Sequence, residues 1–426
     1  MQAFLILEDG TVFEGKQIGS QREVISEIVF NTSMAGYPEV LTDPSYAGQA
    51  VCMTYPLIGN YGVCREDMEA KRPWVDGLIV RELSRVASNF RADMTVQEFM
   101  EAYDVPGIAG IDTRALTKLL REKGTMNGMI ATNGKFSLEE VLPRLRVYSP
   151  GKVVEKVTCK KKYEVKGVRT LEENGAVSGS ARFCREDYEA GVQEKRPSMV
   201  RKLSGLVERG GKLEPLKVAL LDLGAKDNIA ASLASRGCDV TVYPAWSAAE
   251  EILGDTPDGI MLSNGPGDPK ECGSIIKEIR KLYEAEIPIF AICLGHQLMA
   301  LATGADTYKM KYGHRGGNHP VKDLRTGKVY ISSQNHGYAV NMDRLNPQVA
   351  APAFVNVNDG TNEGLIYVGK DIFTVQFHPE ACPGPQDSAD LFERFIERMK
   401  ERAYGKRMRN WTDRIRLKDA RKDFRT

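Results

Sequence analysis

The sequence predicts a C-terminal α/β domain with a parallel, doubly wound sheet, preceded by an N-terminal α+β domain. In the C-terminal half, apolar runs at 217–223, 239–243, 258–262 and 287–292 alternate with helical stretches. Strands that alternate with helices form βαβ units, which place a ligand crevice at the carboxyl ends of parallel strands. Functional residues are therefore expected directly after these runs. A second set of short strands is predicted between residues 329 and 377.

The N-terminal part of the chain has a different pattern. Short β-rich runs alternate with Gly, Pro and Asp turns, and a helical stretch follows at 113–121. Asp112 is a good N-cap for that helix, because its carboxylate can accept hydrogen bonds from the first free N–H groups. Residues 1–158 are therefore interpreted as one compact α+β domain.

Two further segments differ in composition from both domains. Residues 159–215 are rich in Lys, Glu and Gly without sustained apolar periodicity, which predicts a linker with a partly disordered insertion. The C-terminal domain then covers 216–399, and a basic tail with eleven basic and four acidic residues covers 400–426. The insertion is either an elaborated linker or an interaction site. The tail could dock on an acidic partner surface, but a charge run is more often solvated, and we favour that interpretation.

Composition argues against several classes of protein. With 58 basic and 57 acidic residues, the chain has no strong field for nucleic acid or an anionic membrane. No apolar run approaches the roughly 20 residues that span a bilayer, and the first residues are not expected to form a signal peptide. The eight cysteines include no Cys-x-x-Cys pair, which argues against disulfides and structural zinc. A cytoplasmic protein without nucleic-acid partners, membrane contacts or a metal site is expected.

The best candidate nucleophile is Cys293. Residues 288–297 run from an apolar strand directly into a helix, which is the context of a nucleophile elbow with Cys293 at its apex. The small neighbours Ala291 and Gly295 permit such a strained turn. The helix N-terminus favours a thiolate and presents the N–H of Leu294 to an oxyanion. A lone cysteine on an apolar strand is more often a core residue, so the hypothesis needs a base close by in the fold.

His378 is the candidate base. It ends a β-type run, Glu380 follows two residues later, and Pro379 stiffens the link between them. A thiol becomes an efficient nucleophile when a histidine accepts its proton and a third group orients that histidine. The short string is weak evidence alone, but it gains weight beside Cys293 in one α/β domain. The other four histidines are lesser candidates, one on a helix and three in polar loops: His296, His314, His319 and His336.

Two polar loops could contact a substrate. Residues 261–269 close a strand, with Gly265 and Gly267 on either side of a proline. This segment is either a tight turn with a structural role only or a loop whose backbone N–H groups donate to an oxyanion. Residues 334–338, Gln-Asn-His-Gly-Tyr, lie between strand-like runs. They suit either a simple turn or backbone contacts with a small polar substrate.

Several motifs in a fixed order carry a family resemblance. The strings at 262–269, 292–297, 313–320, 334–337 and 378–380 together resemble class I, triad-type glutamine amidotransferases. Gly-Gly-Asn-His-Pro within the third string narrows the resemblance to carbamoyl phosphate synthetase. The first domain resembles the N-terminal domain of that enzyme's small subunit through four more strings, at residues 30–37, 41–46, 55–62 and 110–114. The resemblance covers nearly all of 1–158 and 216–398.

The resemblance implies specific roles for residues of this chain. It implies a flavodoxin-like amidotransferase domain after an N-terminal β/β/α-type α+β domain, with Cys293 as nucleophile, His378 as general base and acid, and Glu380 as its orienter. Eight residues are implied to contact glutamine: Ser45, Gly265, Gly267, Leu294, Gln297, Asn335, Gly337 and Tyr338. Two positions depart from the usual family pattern, since Ala291 replaces a glycine and Tyr338 replaces a frequent phenylalanine.

The implied activity is glutamine hydrolysis inside a heterodimer. Ammonia would pass to a large subunit that makes carbamoyl phosphate from bicarbonate and ATP, for arginine or pyrimidine synthesis or both. No cofactor is expected in this chain, and ATP and Mg²⁺ are expected on the large subunit. Two alternatives stay open: a glutaminase that serves another synthase, such as those for anthranilate or guanylate, and a non-catalytic regulatory module on the same fold.

Overall fold

The computed structural model describes residues 1–132, 136–168, 170–171, 177–178, 204–209, 212–380 and 384–404. Within them the chain forms a barrel domain followed by a domain built on one large sheet. In this part of the chain, every helix is too short or too polar to cross a lipid bilayer. The predicted combination of an α+β domain with a doubly wound α/β domain is confirmed.

Seven strands of the first domain close into a barrel, in the order β1-β2-β8-β6-β4-β3-β9. The strands of this domain are β1 (Gln2–Leu7), β2 (Val12–Gly19), β3 (Val24–Asn31), β4 (Gln49–Met53), β5 (Leu57–Ile58), β6 (Gly77–Val80), β7 (Glu82–Leu83), β8 (Pro106–Ala109) and β9 (Met126–Ala131). Short strands β5 and β7 pair with each other outside the barrel. The helices are α1 (Tyr37–Thr42), α2 (Val96–Ala102), α3 (Thr113–Lys123), α4 (Leu138–Val147) and α5 (Val154–Val157).

Helix α3 shows how local sequence fixes an element of the barrel domain. Asp112 caps it, because its carboxylate accepts a hydrogen bond from the Ala115 N–H at 2.9 Å. Leu116 and Leu120 occupy one face and are buried. The helix ends at Gly124, whose φ of 101° is a conformation that glycine adopts without strain. The predicted helix at 113–121 is therefore confirmed, with two more residues at its end.

The second domain contains a ten-stranded sheet in the order β10-β16-β15-β17-β18-β23-β22-β21-β19-β20. Its central strands β16, β15, β17, β18 and β23 are parallel and follow the flavodoxin-like order 2-1-3-4-5. The strands are β10 (Tyr163–Val165), β15 (Lys217–Asp222), β16 (Asp239–Pro244), β17 (Gly259–Leu262), β18 (Ile289–Ile292), β19 (Thr307–Asp323), β20 (Val329–Val340), β21 (Ala350–Asn356), β22 (Asn362–Tyr367) and β23 (Ile372–Val375). The four predicted apolar runs coincide with β15, β16, β17 and β18 to within two residues at each end.

Helices cover both faces of this sheet. They are α6 (Asp227–Ala234), α7 (Ala249–Gly254), α8 (Gly273–Glu284), α9 (Leu294–Ala302) and α10 (Asp390–Ala403). On one face Phe290 stacks on Phe373 with ring centroids 4.4 Å apart, and Phe392 of α10 meets Phe290 edge-on at 5.7 Å. Such packing fixes the strands relative to one another, so the loops after β17, β18 and β23 meet at one edge of the sheet.

The segment predicted as a linker contains regular structure where it is described. Strand β10 pairs antiparallel with β16 at the edge of the large sheet. Two short antiparallel strand pairs, β11 (Thr170–Leu171) with β12 (Val177–Ser178) and β13 (Leu206–Arg209) with β14 (Lys212–Pro215), also lie in this segment. Residues 169, 172–176, 179–203 and 210–211 of the predicted insertion, and the basic tail after residue 404, lie outside the described residues. The predicted domain boundaries stay a prediction.

Two interpretations of local structure were wrong. His314 and His319, interpreted as lying in polar loops, and residues 334–338, interpreted as one polar loop, lie inside strands β19 and β20. The two strands pair with His314 opposite His336 and with two breaks in register. Polar residues were taken as loop signals, but many of them are buried here and find hydrogen-bond partners, either in the barrel domain, as Asn335 does, or in the same sheet, as Gln334 does.

Close packing between α9 and β17 makes Gly295 sensitive to substitution. A Cβ there would lie 2.7 Å from the carbonyl oxygen of Leu262. Gly295→Ala is expected to lower the free energy of unfolding by about 1–3 kcal/mol, because helix or strand must move. The matched control is Gly273→Ala at the start of α8, where a Cβ meets no atom within 4 Å. The control should be neutral or stabilising by about 0.4–1 kcal/mol. Chemical denaturation measures both, and equal stabilities would contradict the close packing.

Candidate active site

Cys293 occupies the turn between β18 and α9. Its φ of 51° and ψ of −105° form a conformation that costs a residue other than glycine about 1–3 kcal/mol. Two hydrogen bonds hold the turn in place: the Cys293 N–H donates to Val375 O at 2.8 Å, and the Gly295 N–H donates to Ser263 O at 3.0 Å. The neighbouring strands therefore maintain a strained turn that places the thiol at the carboxyl edge of the sheet.

The thiol lies in a buried but polar environment. Cys293 is 2% exposed, and its Sγ can donate to the carbonyl oxygen of Asn335 at 3.7 Å. Gln376 Nε2 donates to the sulfur at 3.6 Å, and Gln297 in turn donates to Gln376 Oε1 at 3.0 Å. An N–H donor favours a thiolate over a thiol. These polar partners distinguish Cys293 from an ordinary core cysteine.

His378 and Glu380 form a buried pair in the loop after β23. His378 Nδ1 lies 2.7 Å from Glu380 Oε1, and both side chains are fully buried. When Nδ1–H donates to the carboxylate, Nε2 carries the lone pair that can accept a proton. Within the described part of the chain, Nε2 makes no hydrogen bond. Catalytic hydrogen bonds often tighten only when a substrate binds, so this geometry suits a general base at rest.

The charges around His378 act on its pKa in opposite directions. Burial and the ammonium group of Lys226 lower the pKa of His378, but Glu380 and the Cys293 thiol raise it more, and the net shift is upward. Burial raises the pKa of Glu380, whereas His378 and Lys226 lower it, and the net shift is downward. The imidazolium form of His378 is therefore favoured, and Glu380 stays a carboxylate.

A cluster of buried charges joins the two domains behind this pair. Lys226 is 3% exposed, and its Nζ lies 3.2 Å from Glu380 Oε1 and 3.8 Å from Asp43 Oδ2. Asp43 belongs to the barrel domain, and its Oδ2 also accepts a hydrogen bond from Asn335 Nδ2 at 2.9 Å. The first domain thus reaches Glu380 through Lys226 and directly contacts Asn335, whose carbonyl oxygen faces the thiol.

A cavity of about 290 Å³ opens beside Cys293, between the two domains. This volume suits a small molecule. Seven of the eight predicted glutamine contacts line it: Ser45, Gly265, Gly267, Gln297, Asn335, Gly337 and Tyr338. Leu294 does not line the cavity. As the first residue of α9 it has an N–H with no helical carbonyl to bond, and it directly follows Cys293.

Arg315 is a lining residue that sequence reasoning missed. Its guanidinium is buried, its Nη1 donates to Tyr312 O at 2.7 Å, and its Nε makes no hydrogen bond among the described residues. Burial lowers the pKa of Arg315, while Glu27 opposes that shift most strongly. Glu27 itself is held by Lys309 at 2.7 Å. A buried cation with an unused donor, facing a cavity, can bind an anionic group of a ligand.

Gln376, Lys226 and Asp43 were also missed. Gln376 lies two residues before His378, and the period of two in a strand would have placed both side chains on one face. Lys226 and Asp43 gave no comparable signal, because charged residues in loops are normally solvated. His296, by contrast, is placed as expected on α9 and away from the thiol: its Nδ1 lies 2.7 Å from Thr374 Oγ1, and burial lowers its pKa to about 3.

Comparisons with known proteins agree with this architecture. Residues 5–130 match the family described as carbamoyl-phosphate synthase small chain, CPSase domain, and residues 219–398 match glutamine amidotransferase class-I. The carbamoyl phosphate synthase small chain of Clostridium perfringens is 45% identical over 93% of this chain and 99% of its own length. The chain belongs to this family. Two further relatives are also named carbamoyl phosphate synthase small chains. The one from Oceanobacillus iheyensis is 46% identical over 93% of this chain and 95% of its own length, and the one from Bacillus caldolyticus is 45% identical over 94% of this chain and 97% of its own length.

The two regions matched by the family models coincide with the two domains of the structure. The carbamoyl phosphate synthase small chain region coincides with the barrel, and the class I glutamine amidotransferase region coincides with the large sheet and α10. In this small chain the cavity lies between the two regions, with Ser45 from the first and Cys293 from the second. Ser45 Oγ accepts a hydrogen bond from Asn264 Nδ2 at 2.8 Å, so its hydroxyl hydrogen can point elsewhere.

Glu69 makes the buried charge cluster sensitive to pH. It is 3% exposed, and burial raises its pKa to about 8, with Lys226 opposing the shift and Glu380 and Asp43 adding to it. The folded state therefore binds this proton more tightly than the unfolded state, in which the glutamate pKa is ordinary. The stability that the bound proton provides is complete at low pH and is lost as pH rises from about 4.5 to about 8.

Replacing Glu69 should remove this pH dependence. Relative to Glu69→Gln, the free energy of unfolding of the unmodified chain is expected to fall by up to about 1.4 kcal/mol per pH unit between pH 5 and 8. Denaturation at several pH values measures the difference. Glu122→Gln on the exposed side of α3 is the control. Parallel stability curves for the unmodified chain and Glu69→Gln would show that Glu69 is ionised in the folded state.

Proposed function

We propose that this chain is the glutamine-hydrolysing subunit of a carbamoyl phosphate synthase, with Cys293, His378 and Glu380 as its catalytic triad. The observation that carries the proposal is the strained turn that holds the Cys293 thiol beside a buried imidazole–carboxylate pair and a cavity of small-molecule size. Nucleophile, base and orienter are thus supplied by two loops at one edge of the sheet.

The first half of the reaction forms a thioester. The Cys293 thiolate attacks the side-chain carbonyl carbon of glutamine, and a carbon–sulfur bond forms. The resulting oxyanion is stabilised by the backbone N–H groups of Gly267 and Leu294. When the tetrahedral intermediate collapses, the carbon–nitrogen bond breaks, and His378 gives its proton to the departing nitrogen, which leaves as ammonia.

The second half regenerates the enzyme. His378, now neutral, accepts a proton from water, and the hydroxide attacks the thioester carbonyl. The carbon–sulfur bond breaks, glutamate leaves, and the thiolate is restored beside the imidazolium. The raised pKa of His378 favours the charged pair that begins the cycle, and Glu380 keeps the imidazole in one orientation.

The cavity also contains groups suited to the amino acid end of glutamine. Gln297 uses both hydrogens of its amide, which donate to Tyr338 O at 2.9 Å and to Gln376 Oε1 at 3.0 Å. Its Oε1 is then the only part of the amide that can serve a ligand, as an acceptor for an ammonium group. Arg315 supplies the opposite charge for the α-carboxylate, because its guanidinium faces the same cavity.

The partner in this proposal is a large subunit that uses ammonia, bicarbonate and ATP. Relatives of similar length are named small chains, which implies such a partner. We propose that ATP and Mg²⁺ bind to that subunit and that glutamine hydrolysis needs no cofactor in this chain. The described cysteines are all free, which suits a reducing, cytoplasmic location.

The nucleophile is tested by Cys293→Ser in the assembled holoenzyme. Glutamine-dependent synthesis of carbamoyl phosphate should fall by at least about 10³-fold, because an alcohol cannot replace the thiolate. Synthesis from free ammonia should continue. The matched control is Cys272→Ser, which changes another buried cysteine at the start of a helix. Substantial glutamine hydrolysis by Cys293→Ser would show that another residue is the nucleophile.

The role of Arg315 is tested with two substrates. Arg315→Met should raise the KM for glutamine by about 10–100-fold with a small change in kcat, the loss expected for a charge-assisted hydrogen bond. Hydrolysis of 4-aminobutyramide, which lacks the α-carboxylate, should be nearly unaffected. Arg121→Met, at an exposed position of α3, controls for the substitution itself. Equal losses on both substrates would mean that Arg315 does not bind the carboxylate.

A further inference from the structure

A second cluster of functional groups lies on strands β19, β20 and β22, on the face of the sheet opposite the cavity. His314 of β19, His336 of β20 and Glu363 of β22 are all buried, and each offers one ligand atom within 4.8 Å of the other two. His314 and His336 are paired directly across the two antiparallel strands. Residues opposite each other in such strands place their side chains on the same face of the sheet. The topology thus brings together three groups that are distant in sequence.

The hydrogen bonds around His336 leave one nitrogen with a free lone pair. Its Nδ1 lies 2.7 Å from the carbonyl oxygen of Tyr338, which can only accept, so Nδ1 carries the hydrogen. Nε2 is therefore an unprotonated acceptor. It is buried and makes no hydrogen bond with any described residue. A buried acceptor without a partner is costly, and it indicates that something else occupies the position it faces.

The other two residues are oriented in the same manner. His314 Nε2 lies 2.9 Å from Asp359 Oδ2, and its Nδ1 faces Glu363 Oε1 at 3.4 Å, which is an ion pair when the imidazole is protonated and a pair of metal ligands when it is not. Glu363 is itself held by two amides, since Asn356 Nδ2 donates to Oε1 at 3.0 Å and Gln334 Nε2 donates to Oε2 at 2.9 Å. Hydrogen bonds from carboxylates, carbonyls and amides to the outer atoms of ligands are typical of metal sites.

We propose that His314 Nδ1, His336 Nε2 and a carboxylate oxygen of Glu363 bind one divalent transition-metal ion, with Zn²⁺ the best fit. Two imidazoles and one carboxylate are a recognised zinc ligand set, and a spacing of 3.4 Å between two ligand atoms suits bonds of about 2.0–2.1 Å in a tetrahedral site. Ca²⁺ and Mg²⁺ are disfavoured because they prefer sites composed of oxygen ligands. A water molecule can complete the coordination. This proposal departs from the sequence expectation of no metal site.

The ion would stabilise the strands that line the glutamine cavity without taking part in hydrolysis. His336 stands between Asn335 and Gly337, which both line the cavity. The carbonyl of Tyr338 that accepts from His336 also accepts from Gln297. A cleft lined by His314, Asp359 and Thr361 reaches the edge of the cluster from outside. The proposal does not depend on the proposed glutaminase activity, because its test measures metal binding.

The test is a Zn²⁺ titration of the full chain by calorimetry after removal of metal with a chelator, in a Cys293→Ser background so that the active-site thiol cannot bind the ion. We expect one equivalent to bind and to raise Tm. Glu363→Gln, which removes a ligand and keeps the side-chain shape, should lose this binding. Asp359→Asn should weaken it by about 10–100-fold. Asp343→Asn, at the rim of the outer cleft, is the matched control and should bind as the parent does.

In the titration, the proposal is overturned if the parent chain shows no stoichiometric Zn²⁺ binding or if Glu363→Gln keeps the affinity of the parent. Co²⁺ provides a second measurement on the parent chain, which is decisive if Glu363→Gln does not fold. Visible absorption bands of a low-coordinate Co²⁺ site without sulfur charge transfer would support the two-histidine, one-carboxylate site. Featureless spectra, or bands that require a thiolate ligand, would refute it.

Discussion

The rest of the site depends on the ion pairs that the buried ammonium group of Lys226 makes. It lies between Glu380, whose carboxylate contacts His378, and Asp43, which comes from the other domain. Burial alone lowers the pKa of Lys226, but Asp43, Glu380 and Glu69 reverse that effect, so the side chain stays charged. Removal of one partner from such a cluster typically costs several kcal/mol, because an unpaired buried charge remains. The two domains must therefore meet in one arrangement for the cluster to be satisfied.

This constraint explains why the cavity lies at a domain boundary. Asp43 also accepts from Asn335, whose carbonyl oxygen faces the Cys293 thiol. Ser45, two residues after Asp43, lines the cavity and is bonded by Asn264 in the loop after β17. One short segment of the barrel thus completes both the charge cluster and the substrate cavity. An isolated large-sheet domain would keep Glu380 as a partner of Lys226 but would lack Asp43 and one wall of the cavity.

The sequence predicted those features that depend on local context. The strand-to-helix transition around Cys293 and the apolar runs of β15, β16, β17 and β18 could be read directly, because periodicity and turn chemistry act over a few residues. Closure of the barrel could not be read, since it depends on pairing between distant strands. The same holds for Lys226, Arg315 and the cluster around His336, which acquire their roles only when separate segments meet. Polar residues of β19 and β20 were misread as loops because their burial depends on distant segments, such as Asp43 of the barrel domain for Asn335 and Glu363 of β22 for Gln334.

In the proposed mechanism, Lys226 also affects how the imidazole of His378 can serve both as base and as acid. A histidine that held its proton too tightly would form the thiolate readily but would release the proton to the leaving nitrogen slowly. Glu380 and the thiol raise the pKa of His378, and Lys226 lowers it. Lys226 at the same time lowers the pKa of Glu380, so the orienter stays ionised. The ammonium group therefore keeps the carboxylate available for orientation while it limits how strongly that carboxylate stabilises the imidazolium.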